Sequence, residues 1–139
     1  MAGALRGGCA RPVGLDRRRR ARAVIRRGDI VTVDFDPIRG TESNKRRPAI
    51  VVSNDIANAT AGRLGRGVIT VVPITSNVER VYPFQVLLPA TPTGLDRDSK
   101  AQAEQVRSVD VERLGERLGI VPASRMVDLD EALRLHLDL

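Results

Sequence analysis

Apolar and polar positions along the 139-residue chain fall into short runs with strand character. Gly28-Asp29-Ile30-Val31-Thr32-Val33-Asp34-Phe35-Asp36-Pro37 alternates and is rich in β-formers, so a first strand is predicted over Ile30 to Phe35, ending at the Asp-Pro turn. Pro48 to Ser53 and Val68 to Ile74 are nearly unbroken apolar runs and predict the second and third strands, with Pro73 marking an edge or a strand end. Between them, Asn54 to Gly67 holds Gly62, Gly65 and Gly67, which leaves room for one short helical turn around Ile56 to Leu64 but not for a long helix. Val81 to Leu88 predicts a fourth strand interrupted by Pro83, and Thr91 to Asp96 predicts a turn. Ser99 to Ser108 reads as a fifth strand, although Ala101-Gln102-Ala103-Glu104-Gln105 is also good helix material. Residues 116–121 predict a further short strand. Met126, Leu129, Leu133 and Leu137 recur at helical spacing, so a C-terminal amphipathic helix is predicted over Ala123 to Leu137. Short strands with Gly and Pro turns, no repeat and no βαβ rhythm predict a mainly β domain. Its expected form is a small antiparallel barrel, closed or half-closed, with the C-terminal α-helix over its open end.

Hydrophobic residues make up 42% of the chain, enough for one small core. Phe35, Tyr82 and Phe84 are its only aromatic residues, so nucleic-acid binding by extended aromatic stacking is disfavoured and any such site must use charge and hydrogen bonds. The formal charge of +6 is unevenly spread: residues 1–27 hold nine arginines against one acid, Asp16. From residue 28 onward fourteen basic residues face sixteen acidic ones, a net of −2. Residues 1–23, including Arg17-Arg18-Arg19-Arg20-Ala21-Arg22, read as a basic, disordered leader, with an arm for nucleic acid or an anionic surface as the alternative. The folded domain is expected over residues 24–139. The leader lacks the apolar segment of a signal peptide, and no apolar run reaches the ~18 residues of a membrane span. A cytoplasmic protein is expected. Cys9 is the single cysteine and lies in the leader, so no disulfide framework or thiolate metal site is available within the chain.

The groups that are missing narrow the chemistry. His136 is the only histidine, set between Leu135 and Leu137 in the terminal helix, so a two-histidine ribonuclease mechanism within one chain is excluded. No His, Cys and carboxylate cluster has metal-ligand spacing, and no cofactor is expected. Lys45-Arg46-Arg47 runs directly into the second strand, and the third strand ends in Thr75-Ser76-Asn77. Two strand ends could therefore set a guanidinium and a hydroxyl on one face. RNA carries its own nucleophile in the 2′-hydroxyl. Arg47, permanently charged and with a planar fork of donors, suits stabilisation of the phosphoryl oxygens, an effect worth ~3 kcal/mol or more. Thr75 could donate to the same phosphate. Glu42 is a candidate base or a contact to a base edge. The plainer alternatives are an ion pair for Arg47 and turn-capping for Thr75, Ser76 and Asn77.

Four segments in order, GDIVTVDFDP, GTESNKRRPAIVVSND, VITVVPITSN and DSKAQAEQVRSVD, resemble the MazF/PemK/Kid family of toxin endoribonucleases, a likeness covering about residues 26–139. The resemblance implies an SH3-like barrel with a terminal helix, a homodimer, and metal-independent cleavage of single-stranded RNA to a 2′,3′-cyclic phosphate and a 5′-hydroxyl. By position it puts the two main catalytic residues on Arg47 and Thr75. It puts the RNA-gating loop on residues 40–46, with Glu42, Ser43, Asn44, Lys45 and Arg46 as RNA contacts, and base reading on Glu104 and Gln105 of the fifth strand. Ser76 and Asn77 would line the same groove. The expected protein partner is a cognate antitoxin whose acidic C-terminal segment would follow Arg39, Lys45, Arg46 and Arg47. Two other functions fit the same barrel: a toxin that poisons gyrase, and a silent barrel that binds RNA or protein without turnover. The ending His136-Leu137-Asp138-Leu139 lacks the aromatic residue that the gyrase toxin presents.

Overall fold

In a computed structural model of the chain, residues 24–35 and 46–139 are described. They form seven strands: β1 (Asp29–Asp34), β2 (Arg46–Val51), β3 (Val68–Thr75), β4 (Gln85–Leu88), β5 (Ser99–Gln102), β6 (Arg107–Asp110) and β7 (Leu114–Ile120). The helices are α1 (Asp55–Leu64), α2 (Ala90–Thr93) and α3 (Ala123–Leu137). Single 3₁₀ turns at Ala103–Gln105 and Val111–Arg113 flank β6. The strands run β4-β5-β3-β2-β1-β7, all pairs antiparallel, with β6 also on β3. The sheet curls as in a small barrel but is not closed, since among the described residues β4 and β7 do not pair.

The central strands have a core on each face. Val31, Val33, Ala49, Val51, Ile69, Val71, Val109 and Leu114 pack together on one side. Ile30, Ile50, Val72, Ile74, Val86, Leu88 and Ala101 pack on the other, against Leu129 and Ala132 of α3. Burial on both faces explains why β2 and β3 read as unbroken apolar runs, and each fully buried Val or Ile side chain contributes about 1.5–3 kcal/mol. α3 has the predicted bounds and packs against β4 and the Ala103–Gln105 turn, with Leu129 and Ala132 entering the second core. Leu137, the last residue of the predicted stripe, is left 48% exposed.

Pro73 lies inside β3, opposite Ala49 of β2, and is neither at an edge nor at the strand end. The Val52 N–H donates to the Thr70 carbonyl at 2.9 Å. Alternation along the ladder then turns the Pro73 nitrogen away from β2, toward the other edge of β3. On that edge the predicted fifth strand breaks. Ile74 pairs with Ala101 and Val71 with Arg107, so two residues of β3, Val72 and Pro73, face five of its neighbour, and the three-residue Ala103–Gln105 turn takes up the excess. A proline has no N–H to donate, and the break falls where that donor is missing. One predicted strand is therefore two, and Glu104 and Gln105 stand on the turn between them.

α1 is ten residues long where one short turn was expected. Its ends are specified locally: the Asn54 side chain accepts from the Ala57 N–H at 2.8 Å, and Gly65, at φ 71°, closes the helix with its N–H on the Ala61 carbonyl. Asn58 is fully buried inside it, donating to the Ser53 carbonyl at 2.9 Å and accepting from the Ser53 hydroxyl at 2.5 Å. Arg27 ties the helix to the rest. Its N–H donates to Asp55 Oδ1 at 2.6 Å, its Nε to the Val52 carbonyl at 2.9 Å and its Nη2 to Asp130 of α3 at 2.7 Å. The bond from the Arg27 N–H, helped by Asn58, holds the Asp55 carboxyl below its ordinary value of 3.8. Stability from that carboxylate is present above the ordinary value and is lost as pH falls through the lowered one. Asp55→Asn, which keeps an acceptor oxygen but no charge, is expected to lower the urea midpoint at neutral pH, with the gap to wild type closing below pH 3.8. A gap independent of pH would contradict the charge argument. Among the described residues no helix is long and apolar enough to cross a membrane.

Candidate active site

Continuing the β2–β3 register two residues past Ala49 and Pro73 sets Arg47 opposite Thr75, so both side chains stand on one face of the sheet. They line a cleft of about 420 Å³ with Pro48, Ile74 and Ser76. The opposite wall is Gly94, Leu95, Asp96 and Arg97 of the α2–β5 connection, with Ser99 of β5 and Leu118 of β7. That wall is braced. The Ala90 N–H donates to Asp98 Oδ1 at 2.9 Å, and the Thr93 hydroxyl donates to the Pro89 carbonyl at 2.8 Å. Gly94 has φ 86°, and a Cβ there would meet the Leu118 carbonyl oxygen at 2.7 Å. A Cβ on Gly119 would collide with the Thr93 carbonyl. Two glycines thus let α2 and β7 touch backbone to backbone.

The Arg47 side chain is exposed and makes no hydrogen bond or ion pair among the described residues. Thr75 is half-buried, and its Oγ1 accepts from the Asn77 N–H at 3.3 Å. The turn-capping read as the plainer alternative is thus present, and it uses the oxygen as acceptor while leaving the hydroxyl hydrogen to donate outward. Asn77 is occupied in the same turn, its Oδ1 accepting from the Glu79 N–H at 3.2 Å, and it does not line the cleft. A guanidinium fork and a free hydroxyl donor facing one cleft suit a phosphodiester.

The other predicted contacts divide. Glu42, Ser43, Asn44 and Lys45 lie outside the described residues. Arg46, next to Arg47 on β2, points to the other face, where its Nη1 occupies the space a Cβ on Gly115 would need. It is not in the cleft. Glu104 and Gln105 do not line the cleft either. Glu104 Oε2 accepts from Gln85 Nε2 at 2.8 Å, while its Oε1 is buried and the only such side-chain atom left without a partner among the described residues. Gln105 is exposed. No group of three or more His, Cys, Asp or Glu among the described residues is gathered closely enough to hold a metal ion. The wall formed by Gly94 to Ser99 was missed from sequence. Its only signal was the Thr-Pro-Thr-Gly turn cluster, which says where the chain turns and not what it turns toward.

Residues 26–137 match the family described as PemK-like, MazF-like toxin of type II toxin-antitoxin system. The chain belongs to that family. The PemK/MazF domain thus takes in every described strand and helix. A relative from Mycobacterium tuberculosis, endoribonuclease MazF9, is 66% identical over 116 residues, 84% of this chain and 98% of the relative. Endoribonuclease EndoA of Bacillus subtilis is 33% identical over 117 residues, covering 84% of this chain and 97% of the relative. Among solved structures, the MazE-MazF complex (Form-II) of Deinococcus radiodurans superposes with a TM-score of 0.66 at 32% identity, over 84% of this chain and 97% of that one. In this PemK/MazF domain the Arg47 and Thr75 cleft lies at the ends of the two strands that share both cores, so its floor is held by the most buried part of the fold.

Proposed function

We propose that this toxin cuts single-stranded RNA without a metal ion, by attack of the 2′-hydroxyl on the adjacent phosphorus. The new P–O2′ bond forms as the P–O5′ bond breaks, leaving a 2′,3′-cyclic phosphate and a 5′-hydroxyl. Arg47 would stabilise the charge on the phosphoryl oxygens and Thr75 would donate to the same phosphate. The 2′-hydroxyl proton needs an acceptor, for which Glu42, four residues before Arg46 in the sequence, is a candidate, with a contact to a base edge as its alternative role, and the leaving O5′ takes up a proton from water. The observation that carries this reading is that Arg47 of β2 and Thr75 of β3 line one cleft. Ser76 extends the donor row. Glu104 Oε1 is buried and without a partner among the described residues, so it would have to swing outward to accept from the N–H edge of a base; Gln105, Asn77, Ser43, Asn44, Lys45 and Arg46 would contact RNA beyond the cleft. In the Deinococcus structure MazF is bound to MazE. By that likeness this chain would bind a cognate antitoxin, its acidic segment competing with RNA for the arginine-lined rim, and would act as a homodimer in the cytoplasm. Residues 1–23 are proposed as a leader outside the toxin domain.

Purified protein incubated in EDTA with a long unstructured RNA is expected to give discrete cuts with 5′-hydroxyl ends, and far fewer with Arg47→Ala in the same time. RNA left intact by the wild type would defeat the reading and turn attention to gyrase poisoning or silent binding.

A further inference from the structure

We propose that Lys100 is a positioning residue for the cleavage step, acting through Thr75; the proposal rests on the RNA-cutting reading of the cleft. Lys100 of β5 is only 7% exposed. It is the cross-strand partner of Thr75, so the two side chains leave the same face of the sheet as neighbours. Its Nζ donates to the Arg80 carbonyl at 2.5 Å and stands 6.0 Å from the centre of the Tyr82 ring. Among the described residues it has no carboxylate within ion-pair distance. Burying an ammonium against one carbonyl and the face of one ring, with no carboxylate, is costly, and a methionine would fill the same space without that cost.

What the ammonium holds is the segment that leaves Thr75. Ser76, Asn77, Glu79 and Arg80 are exposed, so apolar packing contributes little to their placement. Polar bonds set the path: Asn77 N–H to Thr75 Oγ1, Glu79 N–H to Asn77 Oδ1, then the Arg80 carbonyl to Lys100. Since Lys100 is itself paired with Thr75, the chain of bonds that starts at the Thr75 hydroxyl returns to the residue beside it. Lys100 closes this turn. The next tie, the Tyr82 N–H on Gln85 Oε1 at 3.1 Å, lies beyond the turn and does not depend on the lysine. With the turn closed, Thr75 keeps its oxygen toward Asn77 and its hydroxyl hydrogen toward the cleft. With it open, the hydroxyl loses that orientation, and small losses of alignment cost large factors in rate.

The test is a double-mutant cycle with Lys100→Met and Thr75→Val, read as kcat and KM on a short RNA spanning a mapped cut. Lys100→Met is expected to lower kcat about tenfold with KM within about twofold, and to lower the residual kcat of Thr75→Val by less than about twofold. The same factor in both backgrounds, or no loss in either, overturns the proposal, because a general weakening of the fold would act whether or not Thr75 is present. Circular dichroism checks the fold of each variant. Should Lys100→Met not fold, Lys100→Gln, which shortens the stem and removes the charge, carries the same cycle and the same expectation. Absence of cutting by the wild type would overturn the RNA-cutting reading and this proposal with it. Cutting by the wild type with kcat unchanged by the lysine substitution would overturn the proposal alone.

Discussion

Arg47→Ala is expected to lower the single-turnover rate of RNA cleavage about 10²–10³-fold, the loss that follows removal of one preorganised donor from developing charge. Its effect on stability is expected to be small, within about 0.5 kcal/mol, because the guanidinium is exposed and has no partner among the described residues. The two readouts together separate chemistry from folding. Arg47→Lys is expected to recover only part of the rate, since an ammonium keeps the charge but loses the planar fork that bonds two phosphoryl oxygens at once. Equal cleavage by wild type and Arg47→Ala under conditions where both are folded would remove Arg47 from the reaction.

Gly119→Ala is expected to destabilise the domain by about 3 kcal/mol or more, among the largest losses a single methyl group can cause. The added Cβ would meet the Thr93 carbonyl and stand 3.3 Å from the Gly94 Cα. Both obstacles are backbone and cannot rotate away. Relief requires α2 and β7 to part, which also shifts the wall from Gly94 to Arg97, so cleavage is expected to fall even below the melting transition. Gly65→Ala supplies the contrast. Gly65, unlike Gly119, has a positive φ of 71°, but a Cβ there meets nothing within 4 Å, so only the backbone strain of about 1–2 kcal/mol is expected. Urea titration of the two variants should give clearly different midpoints, and equal midpoints would show that the α2–β7 contact is not tight.

The features legible in advance were those with local causes. β1 is an alternating run before an Asp-Pro turn, and its bounds were found to within a residue. α3 follows Pro122 and carries a helical stripe, and its predicted range is the observed one. Arg47 and Thr75 could be singled out because each ends a strand with a group suited to phosphate, and family likeness then put the same roles on them. Where the reading failed, a distant partner had intervened. The helix over Asp55 to Leu64 was underestimated because glycine propensity is local, while the burial of Asn58 and the ties from Arg27 are not. The single strand over Ser99 to Ser108 was drawn through Glu104 and Gln105 because the cause of its break, the missing donor of Pro73, sits on another strand.

By itself, the sequence determined the fold class and the terminal helix, because strand and helix periodicity are properties of short segments; the family came from the likeness of four segments in order, and Arg47 and Thr75 were singled out as candidates on side-chain chemistry. Only the tertiary structure decided which of Arg46 and Arg47 faces the cleft, that the α2–β5 connection supplies the far wall of that cleft, and that Lys100 stands beside Thr75 with its ammonium on the Arg80 carbonyl. Each of these depends on register between strands far apart in the chain. A one-residue slip would send every side chain to the other face, and no local pattern carries that information.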